Sequence, residues 1–253
     1  MTEASVTFSK NVRRSRAQKS VPSLDASGRR RKEKLSAERV HAGDAKLGAV
    51  SEPLPLVLGV SGASGARLAL RALGLFSASP DVPALHLVVT ARALLVARDE
   101  VDGKIRSVRD YVAAARLSRA ARSNVVLHPE EAVDASISSG SFQTRGMAVI
   151  PCSSGTLGSI AHGISRGLLE RAADVCLKER RRLVLAFRET PLSLIHAENI
   201  VAATRAGAIV APPVPAFYAA RTAEEMLDAF LLRVADLLEI SVDAPDLRWT
   251  GSK

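Results

Sequence analysis

Seven side chains in this sequence suit the handling of a phosphate ester: Glu100, Arg171, Lys178, Arg188, Glu189, Tyr218 and Arg233. A dianion must be desolvated as it enters a protein, and the charge on a departing phosphate must be stabilised. Both demands call for cations and directed donors. Arg188 offers a two-pronged guanidinium, Lys178 a point charge and Tyr218 a hydroxyl. Glu100 and Glu189 can pass protons if their surroundings keep the neutral and ionised forms both within reach. The Arg188-Glu189 pair directly follows an apolar run and precedes Pro191. It therefore falls at the carboxyl end of a buried strand, where open α/β sheets bind ligands. The others also have plainer readings. Lys178-Glu179-Arg180-Arg181-Arg182 suits a helix end, where cations complement the macrodipole, and Arg180 to Arg182 are read that way. Asp174 and Lys178 stand four apart and can pair. Tyr218 can be a core tyrosine, and Arg233 a surface residue of the last helix.

Two loops have the composition of anion cradles. In Gly59-Val-Ser-Gly-Ala-Ser-Gly-Ala66, glycines recur every third residue between an apolar strand and a helix. Such a turn lets backbone N–H groups approach a phosphate, and the helix N-terminus adds positive potential. The spacing is neither Gly-x-Gly-x-x-Gly nor a Walker loop, so neither a dinucleotide nor a nucleoside triphosphate is indicated. A purely structural turn is the other reading. Pro151-Cys-Ser-Ser-Gly-Thr156 repeats the arrangement, with Ser153, Ser154 and Thr156 beside free helix N–H groups. An ordinary N-cap by Ser153 or Ser154 would use the same residues. Cys152 reads as a small buried hydrophobe rather than a nucleophile. His162 is given no role. Ile137-Ser-Ser-Gly-Ser-Phe-Gln-Thr144 is too polar for a core and reads as a flexible loop.

These loops need a frame. Apolar strand patterns at 56–60, 85–90, 147–151, 183–187 and 208–211 alternate with helical patterns at 65–77, 91–98, 107–120, 154–163, 168–179, 193–206 and 222–239. That alternation predicts an α/β fold in three layers, a doubly wound and mainly parallel sheet. Hydrophobic residues make up 47% of the 253 and aromatics 4%, so the core is mostly Ala, Leu and Val, as a sheet covered on both faces requires. The domain is expected to span 54–253. Residues 1–53 lack apolar periodicity and are expected to be a disordered extension. They hold 12 Lys and Arg against 6 Asp and Glu, and so carry most of the net charge of +9. The tail, with Arg29-Arg-Arg-Lys32, gives only weak grounds for nucleic-acid binding. No apolar run reaches the roughly 20 residues that cross a bilayer, and no signal-peptide core is visible. Two cysteines make neither a disulfide framework nor a four-ligand zinc site, which points to the cytoplasm.

Taken in order with Arg171-Ala-Ala-Asp-Val-Cys-Leu-Lys-Glu-Arg-Arg-Arg182, Arg188-Glu-Thr-Pro-Leu192 and Pro212-Pro-Val-Pro-Ala-Phe-Tyr218, the two loops make the sequence resemble the UbiX family of flavin prenyltransferases. The match runs from about Leu56 to the C-terminus. It implies a single Rossmann-like or flavodoxin-like domain and FMN as cofactor. The matching positions for FMN are Gly62, Ala63, Ser64, Thr90, Ser153, Ser154, Gly155, Thr156 and Arg188. Those for the phosphate of dimethylallyl phosphate are Arg171, Lys178, Tyr218 and Arg233. Ser64, Glu100 and Glu189 match residues close to the chemistry. The resemblance also places the Ile137–Thr144 loop at the border of the active site.

The sequence departs from the family in three places. Thr90-Ala91 stands where Ser-Lys is common, so the hydroxyl stays and a charge is lost. Arg182 replaces a common proline. The turn before the last helix is one residue shorter than in some relatives. The activity implied is transfer of the dimethylallyl group to reduced FMN, with no metal. The product would go to a UbiD-type decarboxylase, and the assembly would be a homododecamer with sites at its interfaces. Pro212-Pro-Val-Pro215 and Trp249 are candidate contacts. An FMN-dependent decarboxylase of the same fold is the alternative, as is a non-catalytic FMN-binding partner subunit.

Overall fold

The computed structural model describes residues 53–217, 220–245, 247–248 and 251, all within the unit Val50–Lys253. The predicted extension, save residue 53, lies outside the described residues, as do Tyr218 and Trp249.

Six strands form one parallel sheet: β1 (Leu56–Val60), β2 (Leu85–Val89), β3 (Val125–His128), β4 (Gly146–Cys152), β5 (Arg182–Phe187) and β6 (Ile209–Val210). Their order is β3-β2-β1-β4-β5-β6. β1 and β4 are therefore neighbours in space although the chain visits β2 and β3 between them. This reversal is the topological switch point, and the crevice beyond its strand ends is where such sheets hold ligands.

Eight helices flank the sheet among the described residues: α1 (Ala66–Ser77), α2 (Ala91–Glu100), α3 (Val108–Ala114), α4 (Arg119–Ser123), α5 (Ser154–Ala161), α6 (Leu168–Lys178), α7 (Leu194–Ala206) and α8 (Ala223–Leu238). Successive strand residues point to opposite faces. Leu58, Val60, Leu87, Ala148 and Val184 meet α1, α3 and α8 in one core. Val57, Val88, Met147, Val149 and Leu185 meet α5, α6 and α7 in the other. A sheet buried on both faces favours apolar residues at every position, hence the continuous runs at β1 and β4, and β2 is buried throughout with His86 its one polar residue.

The structure differs from the sequence reading at two elements. The sequence analysis had no β3; it is a four-residue edge strand with Val126 and Leu127 exposed. The single helix predicted at 107–120 is two short ones, because Arg116 takes φ 50 and turns the chain between them. None of the described helices is long and apolar enough to cross a membrane.

Candidate functional site

The two small-residue loops meet at the switch point and are fastened to each other by Ser61. Its buried hydroxyl donates to the Pro151 carbonyl (2.9 Å) and accepts from the Ser153 N–H (2.8 Å). One side chain thus fixes the spacing of the loops that follow β1 and β4. Gly62 is needed for a close approach. A Cβ there would lie 2.5 Å from the Cβ of Arg92, so the glycine lets the start of α2 come against the first loop. Gly65, at φ +124, turns the chain into α1.

Glu100 ends α2 and reaches the first turn of α1. Its carboxylate accepts from the Gly65 N–H (2.9 Å) and the Ala66 N–H (2.8 Å). Burial alone would push its pKa up. The hydroxyl of Ser64, the two N–H groups and the charge of Arg188 together outweigh burial and hold it below the usual range. Glu100 is therefore ionised at neutral pH, and Ser64 donates to it. The leading N–H groups of α1, which the sequence reading offered to a phosphate, are taken by this carboxylate at Gly65 and Ala66. Tyr111 lies within electrostatic reach. Burial, then the charge of Glu100, raises its pKa, and its hydroxyl has no partner among the described residues.

In the second loop, Ser153 caps α5. Its hydroxyl accepts from the Thr156 N–H (3.3 Å) and donates to the Thr156 hydroxyl (3.1 Å). The capping role and the polar wall are thus one arrangement. Thr90 is buried and caps α2 by accepting from the Ala93 N–H (3.2 Å). The Ala91 N–H donates to Glu130 (2.9 Å).

Between these helix starts lies a cavity of about 270 Å³. It brings together the predicted Gly62, Thr90, Ser153, Gly155 and Thr156. Beyond Gly155 there is open space where a Cβ would stand. The cavity is also walled by Arg92, Glu130, Ser159, Arg166 and Glu170, which the sequence reading did not single out. Glu170 sits in the first turn of α6, where an acid is ordinary, and that position hides it in the sequence. Its burial and an Oε2 with no hydrogen-bond partner among the described residues mark it in the structure.

Arg188 and Glu189 extend past β5, as predicted. The Arg188 N–H donates to the Cys152 carbonyl (3.0 Å), which ties the pair to the end of β4. Both side chains are exposed, and Glu189 accepts from the next N–H, that of Thr190 (3.1 Å). Cys152 is fully buried with its thiol pKa pushed up by burial first and Glu170 second, which agrees with a packing role.

The remaining candidates lie elsewhere. Lys178 ends α6, four residues before the start of β5, and so stands at the amino-terminal end of the strands, opposite the cavity. It pairs with Glu179. Arg171 donates to the Ser138 carbonyl (3.0 Å) and pairs with Asp174 (2.6 Å). Asp174 therefore pairs with Arg171 and not, as the spacing allowed, with Lys178. Arg181 and Arg182 are not a bare solvated helix end. Arg181 is half-buried and donates to the carbonyls of Phe142 (2.7 Å) and Gly140 (2.6 Å). Arg182 donates to the Leu237 carbonyl (2.6 Å) and pairs with Glu239. Both are held because the 139–144 loop and the end of α8 present carbonyls there. The 137–144 loop borders the Lys178 end of α6. Arg233 is exposed on α8.

Comparison with known proteins agrees with this architecture. The Flavoprotein family profile matches residues 47–242. The flavin prenyltransferase UbiX of Neisseria meningitidis is 43% identical over 205 residues, covering 78% of this chain and 96% of that protein. The crystal structure of AnUbiX in complex with FMN and dimethylallyl pyrophosphate superposes with a TM-score of 0.67 at 38% identity, covering 79% of this chain and 99% of that one. A dodecameric FMN-dependent UbiX-like decarboxylase from Escherichia coli O157:H7 gives 0.67 at 40% identity, covering 79% of this chain and all of that one. The chain belongs to the UbiX family of flavin prenyltransferases.

Proposed function

We propose that this chain binds reduced FMN at the switch-point cavity and joins to it the dimethylallyl group of dimethylallyl phosphate, releasing phosphate. The observation that carries the reading is the polar cavity between the starts of α2, α5 and α6, beside an ionised Glu100 and the Arg188-Glu189 pair. The lining fits FMN. Gly155 leaves room for a flat ring, hydroxyls surround it, and Glu170 has an acceptor oxygen awaiting a donor.

Bound and reduced, FMN supplies the nucleophile. The chain's own residues do the rest. Gly62, Ala63, Ser64, Thr90, Ser153, Ser154, Gly155, Thr156 and Arg188 seat the cofactor, so that the reacting atoms are held in place. Arg188 also balances Glu100, whose ionised form suits it to accept a proton through Ser64. Glu189 gives a proton to the leaving phosphate, and Arg171, Lys178, Tyr218 and Arg233 stabilise its charge.

This division of labour needs more than one copy of the chain. Lys178 ends a helix about 15 Å long whose other end opens on the cavity, so a neighbour's Lys178 is the one that serves a given site. A cavity of 270 Å³ in one chain falls just under the roughly 300–1,000 Å³ usual for ligand pockets, which leaves a partner copy to complete it. Leu192, Leu194 and Ile195, which follow Arg188-Glu189 in the chain, are exposed, as are Val201, Val214 and Phe217, and such side chains suit a covered interface. The assembly is a homo-oligomer, with the dodecamer as its form. The product passes to a UbiD-type decarboxylase in the cytoplasm, where the free Cys152 and Cys176 stay reduced.

The test is anaerobic incubation of the purified chain with reduced FMN and dimethylallyl phosphate, following flavin mass and phosphate release. A gain of one prenyl unit with matching phosphate is expected. No gain would reject the transferase reading. Glu189→Ala should keep FMN and lose turnover by at least about a hundredfold.

A further inference from the structure

The cavity wall carries two guanidinium groups, Arg92 in the first turn of α2 and Arg166 two residues before α6. Neither is in an ion pair with another described residue. Both are exposed at the cavity mouth, and their two planar forks converging on one cavity suit a dianion with several oxygens. At α1 and α2 the leading N–H groups are taken, while Ser153 at the start of α5 occupies only that of Thr156. Glu100 occupies the Gly65 and Ala66 N–H groups of α1. Glu130 and Thr90 occupy those of Ala91 and Ala93 in α2. Ala91, the first residue of α2, brings no charge.

The same wall carries Glu130 and Glu170, so a bare phosphate would meet two carboxylates as well as two cations. Glu170 is nine-tenths buried, and its Oε2 lacks a donor among the described residues. A buried acceptor without a partner is costly, and a ligand that brings hydroxyl hydrogens relieves it. Cations calling for a phosphate and an acid calling for a hydroxyl together describe a polyol phosphate. That is the chemistry of the ribityl phosphate tail of FMN.

We infer that Arg92 and Arg166 jointly hold the phosphate of FMN in this chain and set its preference for FMN over riboflavin. The inference rests on the proposal that the cavity is the flavin site. Both residues are positioning residues for the cofactor and lie away from the transferred group.

The test uses the full chain freed of flavin and titrated with FMN and, separately, with riboflavin, reading flavin fluorescence. The wild-type chain should bind FMN on the order of a hundredfold more tightly than riboflavin, about tenfold per charged contact. Arg92→Gln and Arg166→Gln should each weaken FMN about tenfold, and the double variant about a hundredfold, with riboflavin affinity held within roughly threefold. Arg166→Lys should recover part of the FMN affinity, and raised salt should weaken FMN but not riboflavin. FMN affinity unchanged in the double variant would overturn the anchor while leaving the flavin site intact. Equal loss of both flavins would overturn it too, by making the arginines structural. A wild-type chain that binds neither flavin would reject the flavin site itself, and the anchor with it.

Discussion

Helix α6 joins two regions of opposite character. At its start, Arg166 and Glu170 border a cavity in which, among the described residues, two guanidiniums have no ion-pair partner and a carboxylate oxygen has no donor. One turn in, Arg171 is already paired with Asp174, and at the helix end Lys178 is paired with Glu179 and Arg181 with the carbonyls of the 139–144 loop. The sequence reading took the basic run at the helix end as site-bearing at Lys178 and bland at Arg180 to Arg182, and it did not single out Arg92 and Arg166. The contrast separates polar groups that the fold has already satisfied from groups that await a ligand. Lys178 stands between the two classes: its partner is a sequence neighbour at the surface, and such exposed pairs are worth little, so another copy can displace it.

The sharpest way to break this contrast is subunit complementation. Lys178→Ala and Glu100→Gln should each lower turnover by about a hundredfold or more in assemblies of one variant. Coexpressed in mixed assemblies, the two should recover readily measured prenyl transfer, because an intact Lys178 of one copy meets an intact Glu100 of another. If the mixture is no more active than either variant alone, the two residues do not serve a site shared between chains.

A smaller effect tests whether the regions are independent. Arg181 makes hydrogen bonds to Phe142, Gly140 and Thr144, and no residue lining the cavity is among them. Arg181→Ala should cost about 2 kcal/mol, because the carbonyls of a half-buried loop lose their donor. Thermal unfolding should shift down by several degrees, while FMN affinity stays within about twofold. A fall in FMN affinity that tracks the stability loss would show the two ends of α6 to be one cooperative unit.

The frame of the site was legible in the sequence because periodicity is local. Apolar runs, broken only by His86 in β2, marked β1, β2, β4 and β5, and the polar loops after β1 and β4 stood where the switch point falls. What sequence could not carry is tertiary. Glu100 satisfies N–H groups that lie 34 and 35 residues earlier, so nothing near it announces that it caps α1. Ser61 joins two loops 90 residues apart. β3 escaped because its apolar run, Val125-Val126-Leu127, is too short to tell from a loop by pattern alone. Arg166 and Glu170 escaped because a basic residue in a loop and an acid in a first helical turn are what any surface carries.

The smallest effect concerns the underside of the 139–144 loop. His86, in β2, stacks on His128 at the end of β3, with Nδ1 and Nε2 2.8 Å apart, and meets the edge of Phe142. Burial, then the neighbouring ring, pulls the pKa of His86 down to about 4, and burial lowers that of His128. In the unfolded chain both return to about 6.5. Below that pH the unfolded chain binds more protons than the folded one, so folding stability falls as the pH falls. The contribution is complete above 6.5 and is lost progressively towards pH 4. Denaturant midpoints should therefore drop between pH 7.5 and 5. They should drop less in His128→Gln, whose amide keeps a hydrogen-bonding group beside His86 but cannot take up a proton. Equal drops in the two proteins would assign the acid sensitivity to other groups. If FMN affinity also fell in step with the midpoint, the loop region would not be separable from the cavity after all.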